Sequence, residues 1–324
     1  QIAALLDLEP GRVEVELVTN GGAFGGKEDL LVQGHAALAA WCTGAPVKLV
    51  LPRRQSLLMH PKRHPLRMRY TVGADAEGRL LAVRASIVGD TGAYASVGAK
   101  VLERAAGHAC GPYRVGAVEV DAAAVYTNNP PCGAMRGFGV NQTAFAVEGM
   151  LDRLAERVGL DGYDIRERNV LDPGDPFATG QVMDSACGIR ATLEALREVY
   201  KGSPRAGIAC GIKNTGIGNG VADIGRVLIR VEPGGRLELL TGFTEMGQGL
   251  HTILRQVVCS ETGLDPARLE VRTASDDRVE CGMTTASRAT ALATAAARRA
   301  AVALARDLEV EGLEALAGRA YHGE

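Results

Sequence analysis

The sequence has few aromatic residues and no long apolar run. Phe, Trp and Tyr make up 4% of the 324 residues, so Ala, Val and Leu must supply most of the core. No apolar run approaches the ~20 residues that a membrane helix needs. Because Gln1 leads directly into a helical pattern, we also expect no signal peptide. These absences disfavour a membrane protein.

Paired cysteine motifs and a strong charge of one sign are also missing. The seven cysteines are odd in number and none belongs to a CxxC motif, which disfavours a disulfide framework or an iron–sulfur cluster held by this chain alone. We expect free thiols in a cytoplasmic protein. The formal net charge is −2 with both signs mixed, so neither nucleic acid nor an acidic membrane surface is an expected partner.

Two stretches of the chain follow one plan, in which a strand, a glycine-rich loop and a helix come in order. The predicted strand, loop and helix are 13–18, 20–26 and 28–41 in the first stretch, and 236–240, 242–249 and 250–262 in the second. Strands and helices that interleave without a steady βαβ rhythm predict an α+β fold. A polar, proline-containing turn near Ser203 and Pro204 divides the chain into predicted domains 1–203 and 204–324.

The remaining pattern predicts further elements. The predicted strands are 47–51, 67–72, 79–88, part of 113–126, 226–231 and 269–273. The predicted helices are 142–158, 164–170, one within 180–202, and 284–308. The first residues indicate a helix already under way, and 317–324 indicate an interrupted tail. We therefore expect a fragment of a longer protein.

A glycine-rich segment, Gly21-Gly-Ala-Phe-Gly-Gly-Lys-Glu28, lies between the first predicted strand and helix. Glycines there let backbone N–H groups converge on a ligand, and a helix N-terminus favours anions. The spacing imitates a P-loop, but Glu28 stands where Ser or Thr would hold magnesium, which disfavours a nucleoside triphosphate. A tight turn that merely needs glycine stays an alternative.

Two further segments combine an isolated charge with a hydrophobic setting. Arg136 and Phe138 stand among small residues in 132–142, where Arg offers a forked donor and Phe a flat face for a planar ligand. The alternative is that Arg136 is an ordinary surface residue and Phe138 an ordinary core residue. Glu103 and Arg104 lie in an apolar stretch and need partners if they are buried, or are simply solvated.

Two segments open helices in the second half. In TEMGQG the amide of Gln248 offers both a donor and an acceptor. In TTASR, which contains Ala286 and Ser287, hydroxyl residues can cap a helix or bind phosphate oxygens. Taken singly, each segment predicts an ordinary helix N-terminus.

Together, and in this order, these segments resemble the large subunits of molybdenum hydroxylases, the family of xanthine dehydrogenases and aldehyde oxidases. GGAFGGKE, AMRGFGVNQ and TEMGQGLHT are each close to family motifs. The resemblance implies two elongated α+β domains that hold a molybdenum–molybdopterin cofactor, in its cytosine dinucleotide form, between them. It also implies oxidative hydroxylation with oxygen taken from water.

The resemblance carries residue roles over by motif. It implies that the following residues bind the cofactor: Phe24, Gly25, Arg136, Gln248, Ala286 and Ser287. Among these, Phe24, Arg136 and Ala286 would contact the molybdenum–pterin group. Glu28 and Arg104 would bind polar edges of the substrate and Phe138 would stack on its ring. This set favours a purine-like N-heterocycle over a simple aldehyde.

Several family features are not found in the sequence. The family's general-base glutamate lies in a glycine-rich motif near the C-terminus of the subunit, and no such motif follows Thr290, so we assign no catalytic residue and expect the fragment alone to be inactive. A glycine-rich stretch, 214–220, replaces bulkier pocket residues of the family. The 2Fe-2S and FAD centres are expected on other domains or subunits, and the full-length protein is expected to be a homo-oligomer.

Three alternatives to purine hydroxylation stay open at this point. The first is aldehyde oxidation by the same chemistry. The second is a non-catalytic family member that handles the cofactor, and the third is a P-loop-like nucleotide module, against which Glu28 argues.

Overall fold

The computed structural model describes residues 1–18, 20–218 and 220–324, and their contacts divide the chain into two compact units. The first unit is Gln1–Leu8 with Phe24–Lys213, and the second is Glu9–Ala23 with Asn214–Glu324. Our prediction of one boundary near Ser203 placed Glu9–Ala23 in the first domain, whereas its contacts lie with the second unit. Unit membership depends on long-range contacts, which local patterns do not report. The boundary at 203 itself stays a prediction.

The first unit combines a small sheet with helices. Its elements are α1 (Ile2–Leu5), α2 (Gln33–Thr43), α3 (Arg53–Met59), β1 (Leu66–Ala74), β2 (Leu80–Asp90), α4 (Gly98–Gly107), β3 (Ala117–Val125), α5 (Val140–Val158), α6 (Gly162–Asn169), α7 (Ile189–Glu194) and α8 (Arg197–Lys201). The sheet order is β1–β2–β3, with β1 antiparallel and β3 parallel to β2. Val83, Ala85 and Ile87 of β2 are buried while their neighbours are exposed, which is the alternation of a sheet with one covered face.

A buried charge network joins α5 to α6. Glu148 accepts a hydrogen bond of 2.6 Å from the Tyr113 hydroxyl and one of 2.7 Å from Nε of Arg166. The Arg166 side chain is fully buried, and its Nη1 lies 2.9 Å from the Asp152 carboxylate. Burial, reinforced by the Glu148 charge, raises the pKa of Tyr113 well above its ordinary value, so the phenol stays a hydrogen-bond donor.

The second unit packs two helices on a four-stranded sheet. Its elements are β4 (Val227–Glu232), β5 (Arg236–Thr241), α9 (Leu250–Thr262), β6 (Leu269–Thr273), α10 (Ala289–Glu311) and β7 (Ala320–Gly323). The sheet order is β6–β5–β4–β7, with β5 and β6 parallel and the other pairs antiparallel. Short 3-10 turns occupy Pro10–Arg12, Pro266–Arg268, Asp277–Val279 and Leu313–Leu316.

Alanine rather than aromatic residues lines the contact between α10 and the sheet. Ala293, Ala296, Ala297, Ala300 and Ala301 are each at most 1% exposed. A Cβ on Gly323 of β7 would lie only 1.9 Å from the Ala296 carbonyl oxygen. The helix therefore approaches the sheet closely, and a low aromatic content is compatible with a dense core.

The α+β fold class is confirmed, and most strands and helices lie where the pattern predicts them. The hairpin of β4 and β5 occurs as predicted, and Leu250–Thr262 and Leu269–Thr273 have the predicted bounds. The strand, glycine loop and helix of the second unit are therefore confirmed as β5, the loop after it and α9.

The same plan is wrong for the first stretch of the chain. Residues 13–18 and 47–51 belong to no strand. The side chains of Val15, Leu17 and Val18 are 66%, 51% and 73% exposed, so their alternation covers no core. An alternating pattern becomes a strand only where a neighbouring strand pairs with it, and that depends on tertiary structure.

Two predicted helix starts also move. The first predicted helix begins at Gln33 rather than residue 28, and the last begins at Ala289 rather than residue 284. Ala286 and Ser287 lie inside the last predicted helix and are left-handed, a conformation that a helix cannot hold, so they form a turn before it. Before the first helix, residues 24–27 form a turn and residues 28–32 do not become helical. The last residues form β7, which pairs with β4 and was not predicted.

Candidate functional site

Two predicted motif loops of the first unit lie against each other, backbone to backbone. The Arg136 N–H donates a hydrogen bond of 2.8 Å to the Phe24 carbonyl. Gly25 has φ of +87°, and a Cβ there would lie 3.0 Å from the carbonyl carbon of Ala134 and 3.1 Å from the N of Met135. Only glycine combines this φ with so close an approach. The structure therefore brings Phe24, Gly25 and Arg136 together.

Left-handed backbone is concentrated at the predicted binding residues. Among the described residues that are not glycine, φ lies between +40° and +57° at Asp7, Phe24, Ser96, Phe138, Ala286 and Ser287. Four of these six were predicted to bind cofactor or substrate. Such a conformation costs about 1–3 kcal/mol at each non-glycine residue and is typical of binding sites, where the surrounding structure imposes it.

An aromatic ring and a cation face solvent at the contact between these loops. The Phe24 ring is 67% exposed, and the Arg136 guanidinium lies 5.9 Å from its centroid. Neither side chain therefore has the buried setting expected of a core residue. The pair offers a flat face and a forked donor to a ligand.

Helix α4 positions the predicted substrate residues Arg104 and Phe138. Phe138 packs, half-buried, on the cluster that contains Val101 and Leu102. A Cβ on Gly139 would lie 2.3 Å from the Val101 carbonyl oxygen, so the loop after Phe138 contacts the helix backbone directly. Arg104 is half-buried in the last turn of the same helix.

A second cation lies within electrostatic reach of Arg104. Burial lowers the pKa of Lys213 below its ordinary value, and the Arg104 charge lowers it further. The His108 Nδ1 lies 2.9 Å from the Arg104 carbonyl oxygen, and burial likewise lowers the pKa of His108. Burial therefore disfavours the charged forms of both Lys213 and His108.

Glu28 belongs to a turn that its neighbour Asp29 stabilises. The Glu28 N–H donates to the Gly25 carbonyl at 3.4 Å. Asp29 accepts a hydrogen bond of 2.6 Å from the hydroxyl of Ser96, itself a left-handed residue. A Cβ on Gly133 would lie 2.4 Å from the other Asp29 oxygen. Asp29 thus links the turn to two further segments of the first unit.

In the second unit, Glu245 organises the loop before α9. Its carboxylate accepts hydrogen bonds from the backbone N–H groups of Gly247 at 2.8 Å, Gly249 at 3.0 Å and His251 at 3.0 Å. Partial burial opposes ionisation, but these donors outweigh it and hold the pKa of Glu245 below its ordinary value. Glu245 therefore caps the helix as an anion.

The Gln248 amide is folded back on this loop. Its oxygen accepts from the Met246 N–H at 2.6 Å and its nitrogen donates to the Thr244 carbonyl at 2.8 Å. An amide has a second N–H and a second oxygen lone pair, so the exposed Gln248 keeps a donor and an acceptor for a ligand. The Thr244 N–H donates to the Thr284 hydroxyl at 2.9 Å, which joins this loop to the segment before α10.

Ala286 and Ser287 form a turn of two consecutive left-handed residues, with φ of 57° and 56°. The Gly216 N–H donates to the Ala286 carbonyl at 3.0 Å. Within the described part of the chain, no hydrogen bond uses the N–H of Ala286, Ser287, Phe24 or Gly25. Successive N–H groups in such turns form concave sites for anionic oxygens.

Sequence reasoning missed residues that hold the motifs rather than bind through them. Glu245, Arg288 and Asp29 all lie inside or beside the predicted motifs, but only the structure shows what they contact. An acidic residue just before a helix was a usable signal for Glu245. The glycine-rich stretch 214–220, which replaces bulkier pocket residues of the family, includes Asn219, which lies outside the described residues.

The described residues contain neither a cluster of metal ligands nor a helix that could span a membrane. No group of three or more His, Cys, Asp or Glu side chains there could hold a metal ion. No helix there is long and apolar enough to span a bilayer.

Loss of the Glu245 carboxylate is expected to loosen the loop before α9. In Glu245→Gln, N–H donors lose an anionic acceptor, which costs about 1 kcal/mol. The folded-state pKa is lower than the ordinary 4.5, so this stabilisation is present above pH 4.5 and is lost as the pH falls through the folded value. The free energy of unfolding, measured from neutral to acidic pH, should therefore differ between the wild-type and variant proteins at neutral pH. This difference should shrink as the pH falls. A constant difference across that range would contradict this role.

Comparisons with known proteins agree with these loops. The molybdopterin cofactor-binding domain family matches twice, over residues 1–170 and 186–316. The chain is 48% identical to the nicotinate dehydrogenase large molybdopterin subunit of Eubacterium barkeri over 61% of this chain and 47% of that protein. It is 34% identical to a probable xanthine dehydrogenase subunit of Bacillus subtilis over 92% of this chain and 42% of that protein.

A solved structure supports the fold. The aldehyde oxidoreductase of Desulfovibrio gigas superposes with a TM-score of 0.87 at 24% identity, over 99% of this chain and 38% of that one. The two matched units thus have the architecture of molybdopterin-binding proteins. The chain belongs to the molybdopterin cofactor-binding domain family, as found in the molybdenum-binding subunits of xanthine dehydrogenase-type hydroxylases. It spans less than half the length of the two relatives compared above.

Proposed function

We propose that the full-length protein is a molybdenum hydroxylase that oxidises a purine-like N-heterocycle, with the inserted oxygen coming from water. The observation that supports this most is that strained, left-handed backbone occurs at residues of the predicted binding motifs. Phe24, Phe138, Ala286 and Ser287 hold left-handed backbone at the positions where the family resemblance implies ligand contacts. When bound, the molybdenum cofactor supplies the two-electron oxidation.

The residues present fit such a group. Backbone N–H groups of Phe24 and Gly25 in the first unit, and of Ala286 and Ser287 in the second, are free of protein acceptors among the described residues. They suit the oxygen ligands of molybdenum and of phosphate. We propose that Arg136 adds a forked donor and that the Gln248 amide bonds an oxo ligand or a pterin edge.

Three residues of the first unit would recognise the substrate. Phe138 would stack on a planar ring, and Glu28 would accept a hydrogen bond from a ring N–H. Arg104 would stabilise negative charge that develops on the heterocycle during oxidation. An aldehyde group offers nothing for Glu28 to accept, which is why we favour a heterocycle.

A second candidate is a heteroaromatic ring that bears a carboxylate. The 48% identity to a subunit named for nicotinate favours it. Lys213, which lies within electrostatic reach of Arg104, would be the cation that pairs with that carboxylate.

Substrate turnover by variants of the full-length protein separates these candidates. We expect Arg104→Met to lower kcat/KM for a purine by about 10²-fold, since it removes a group that stabilises the developing charge. Lys213→Met should raise KM only for nicotinate. The exposed Arg153→Met is the control and should change neither. Turnover of an aromatic aldehyde alone, unaffected by Arg104→Met, would instead support the aldehyde alternative.

Further components follow from the same proposal. Relatives are named as subunits, which supports 2Fe-2S and FAD centres on other domains or subunits. The cytosine dinucleotide form of the pterin, a homo-oligomer and a cytoplasmic location are also proposed; all seven cysteines are free, which suits a reducing compartment. We assign no general base among residues 1–324, so activity is proposed for the full-length protein and the chain by itself is expected to be inactive.

A further inference from the structure

Arg288 directly follows the left-handed turn of Ala286 and Ser287, and its side chain is buried. Only 3% of the residue is exposed. Its Nη2 donates to the carbonyl oxygens of Cys281 at 2.6 Å and Met283 at 2.8 Å. The guanidinium also lies 5.1 Å from the Phe243 ring centroid. A buried guanidinium is expensive to desolvate, so its several partners must compensate.

The contacts of Arg288 close a ring through the turn that precedes it. Its Nη1 lies 3.4 Å from a carboxylate oxygen of Asp223. The Asp223 carboxylate accepts the Ile217 N–H at 3.1 Å, and the neighbouring Gly216 N–H donates to the Ala286 carbonyl at 3.0 Å. These contacts connect Arg288 to Asp223, Asp223 to the backbone of 216–217, and that backbone to Ala286. Because Ala286 is two residues before Arg288 in the chain, the contacts form a closed ring.

The direction of the bound carbonyls adds a second constraint. In a planar trans peptide the C=O and the following N–H point opposite ways. Because Arg288 binds the carbonyls of Cys281 and Met283, the N–H groups of Gly282 and Thr284 are directed away from it. The side chain thus fixes the orientation of two peptide units in the segment before the turn, 281–282 and 283–284.

We propose that Arg288 is a positioning residue: it holds the Ala286–Ser287 turn in the left-handed form that presents its N–H groups to the cofactor. This inference rests on the proposed function, in which that turn binds the molybdenum–pterin group. From a planar fork the guanidinium binds the carbonyls of Ile224, Cys281 and Met283 and the Asp223 carboxylate. A lysine ammonium is a compact point charge and cannot span the same four acceptors.

Hydrogen exchange of the full-length protein tests the loop directly. We expect Arg288→Lys to accelerate amide exchange in 281–288 by about tenfold or more in the cofactor-free protein, with α9 unchanged. The matched control is Arg298→Lys, since Arg298 is exposed and pairs with Glu261 on the surface. Exchange in 281–288 that is the same in Arg288→Lys as in the wild type would overturn the proposal.

Cofactor retention provides the second readout. Molybdenum bound per protomer after dialysis should fall about 10- to 100-fold in Arg288→Lys, the usual effect of losing a residue that orients a ligand. If that variant does not fold, Asp223→Asn keeps Arg288 and breaks the ring at its other end; it should loosen 281–288 in the same way. An Asp223→Asn protein with wild-type exchange and retention would overturn the role of the ring.

The same measurements separate this inference from the function on which it rests. A wild-type full-length protein that binds no molybdenum or pterin would refute the proposed function. Exchange in 281–288 would still decide whether Arg288 orders the turn. A variant with a loosened turn and undiminished molybdenum would refute the link from Arg288 to the cofactor.

Discussion

Replacing Gly25 with alanine is expected to strip most molybdenum and pterin from the full-length protein. The new Cβ would lie 3.0 Å from the carbonyl carbon of Ala134 and 3.1 Å from the N of Met135, in a backbone with φ of +87°. Strain of about 1–3 kcal/mol and this contact would push the two motif loops apart. The N–H of Gly25 and the side chain of Arg136 would then no longer converge on one ligand.

The measurement is molybdenum by elemental mass spectrometry together with pterin fluorescence after oxidation. Gly21→Ala is the matched control, because a methyl group added at Gly21 would meet no heavy atom within 4 Å and the residue has no left-handed φ. It should keep the wild-type cofactor content. Equal retention by the two variants would show that the close approach at Gly25 does not shape the cofactor site.

The second large effect concerns stability and the network around Glu148. Glu148→Gln should destabilise the first unit by about 3–5 kcal/mol, because it leaves the Arg166 guanidinium buried without its main counter-charge. The Asp152 carboxylate stays near Arg166, but it is largely exposed and compensates poorly. For a unit of this size the melting temperature should fall by about 6–20 °C.

An exposed pair offers the control for this experiment. Arg84 and Glu119 lie 2.7 Å apart, with side chains that are 71% and 67% exposed. Glu119→Gln should cost about 0–1 kcal/mol, since solvent screens such a pair. Differential scanning calorimetry of the full-length protein compares the two variants. Similar melting temperatures for both would mean that burial does not govern the Glu148 network.

The sequence predicted the glycine-rich loops better than the helices and strands beside them. Glycine positions and isolated polar residues predicted the loops that contain Phe24, Arg136 and Gln248. The sequence also predicted helices that begin at residues 28 and 284, and both starts were wrong. In the second case the left-handed residues Ala286 and Ser287 form a turn where the helix was expected to begin. The residue roles of the motifs stay predictions, which the cofactor and turnover measurements above can check.

The local sequence pattern by itself determined two kinds of element: strands whose pairing strand is close in the sequence, and helices with a strong hydrophobic periodicity. The hairpin of β4 and β5 and the helix α9 are examples, because turn chemistry and a 3.6-residue period are written in adjacent residues. The sequence also determined that the core would be rich in alanine, and α10 confirms this.

Tertiary structure alone decided what the remaining segments do. Residues 13–18 alternate like a strand but have no pairing partner among the described residues, whereas β7 becomes a strand because β4 pairs with it. Arg288 carries no pattern that distinguishes it from a surface arginine. Its role depends on carbonyl groups and a carboxylate that folding brings from 223–224 and 281–283, and contacts between distant segments are not encoded in local periodicity.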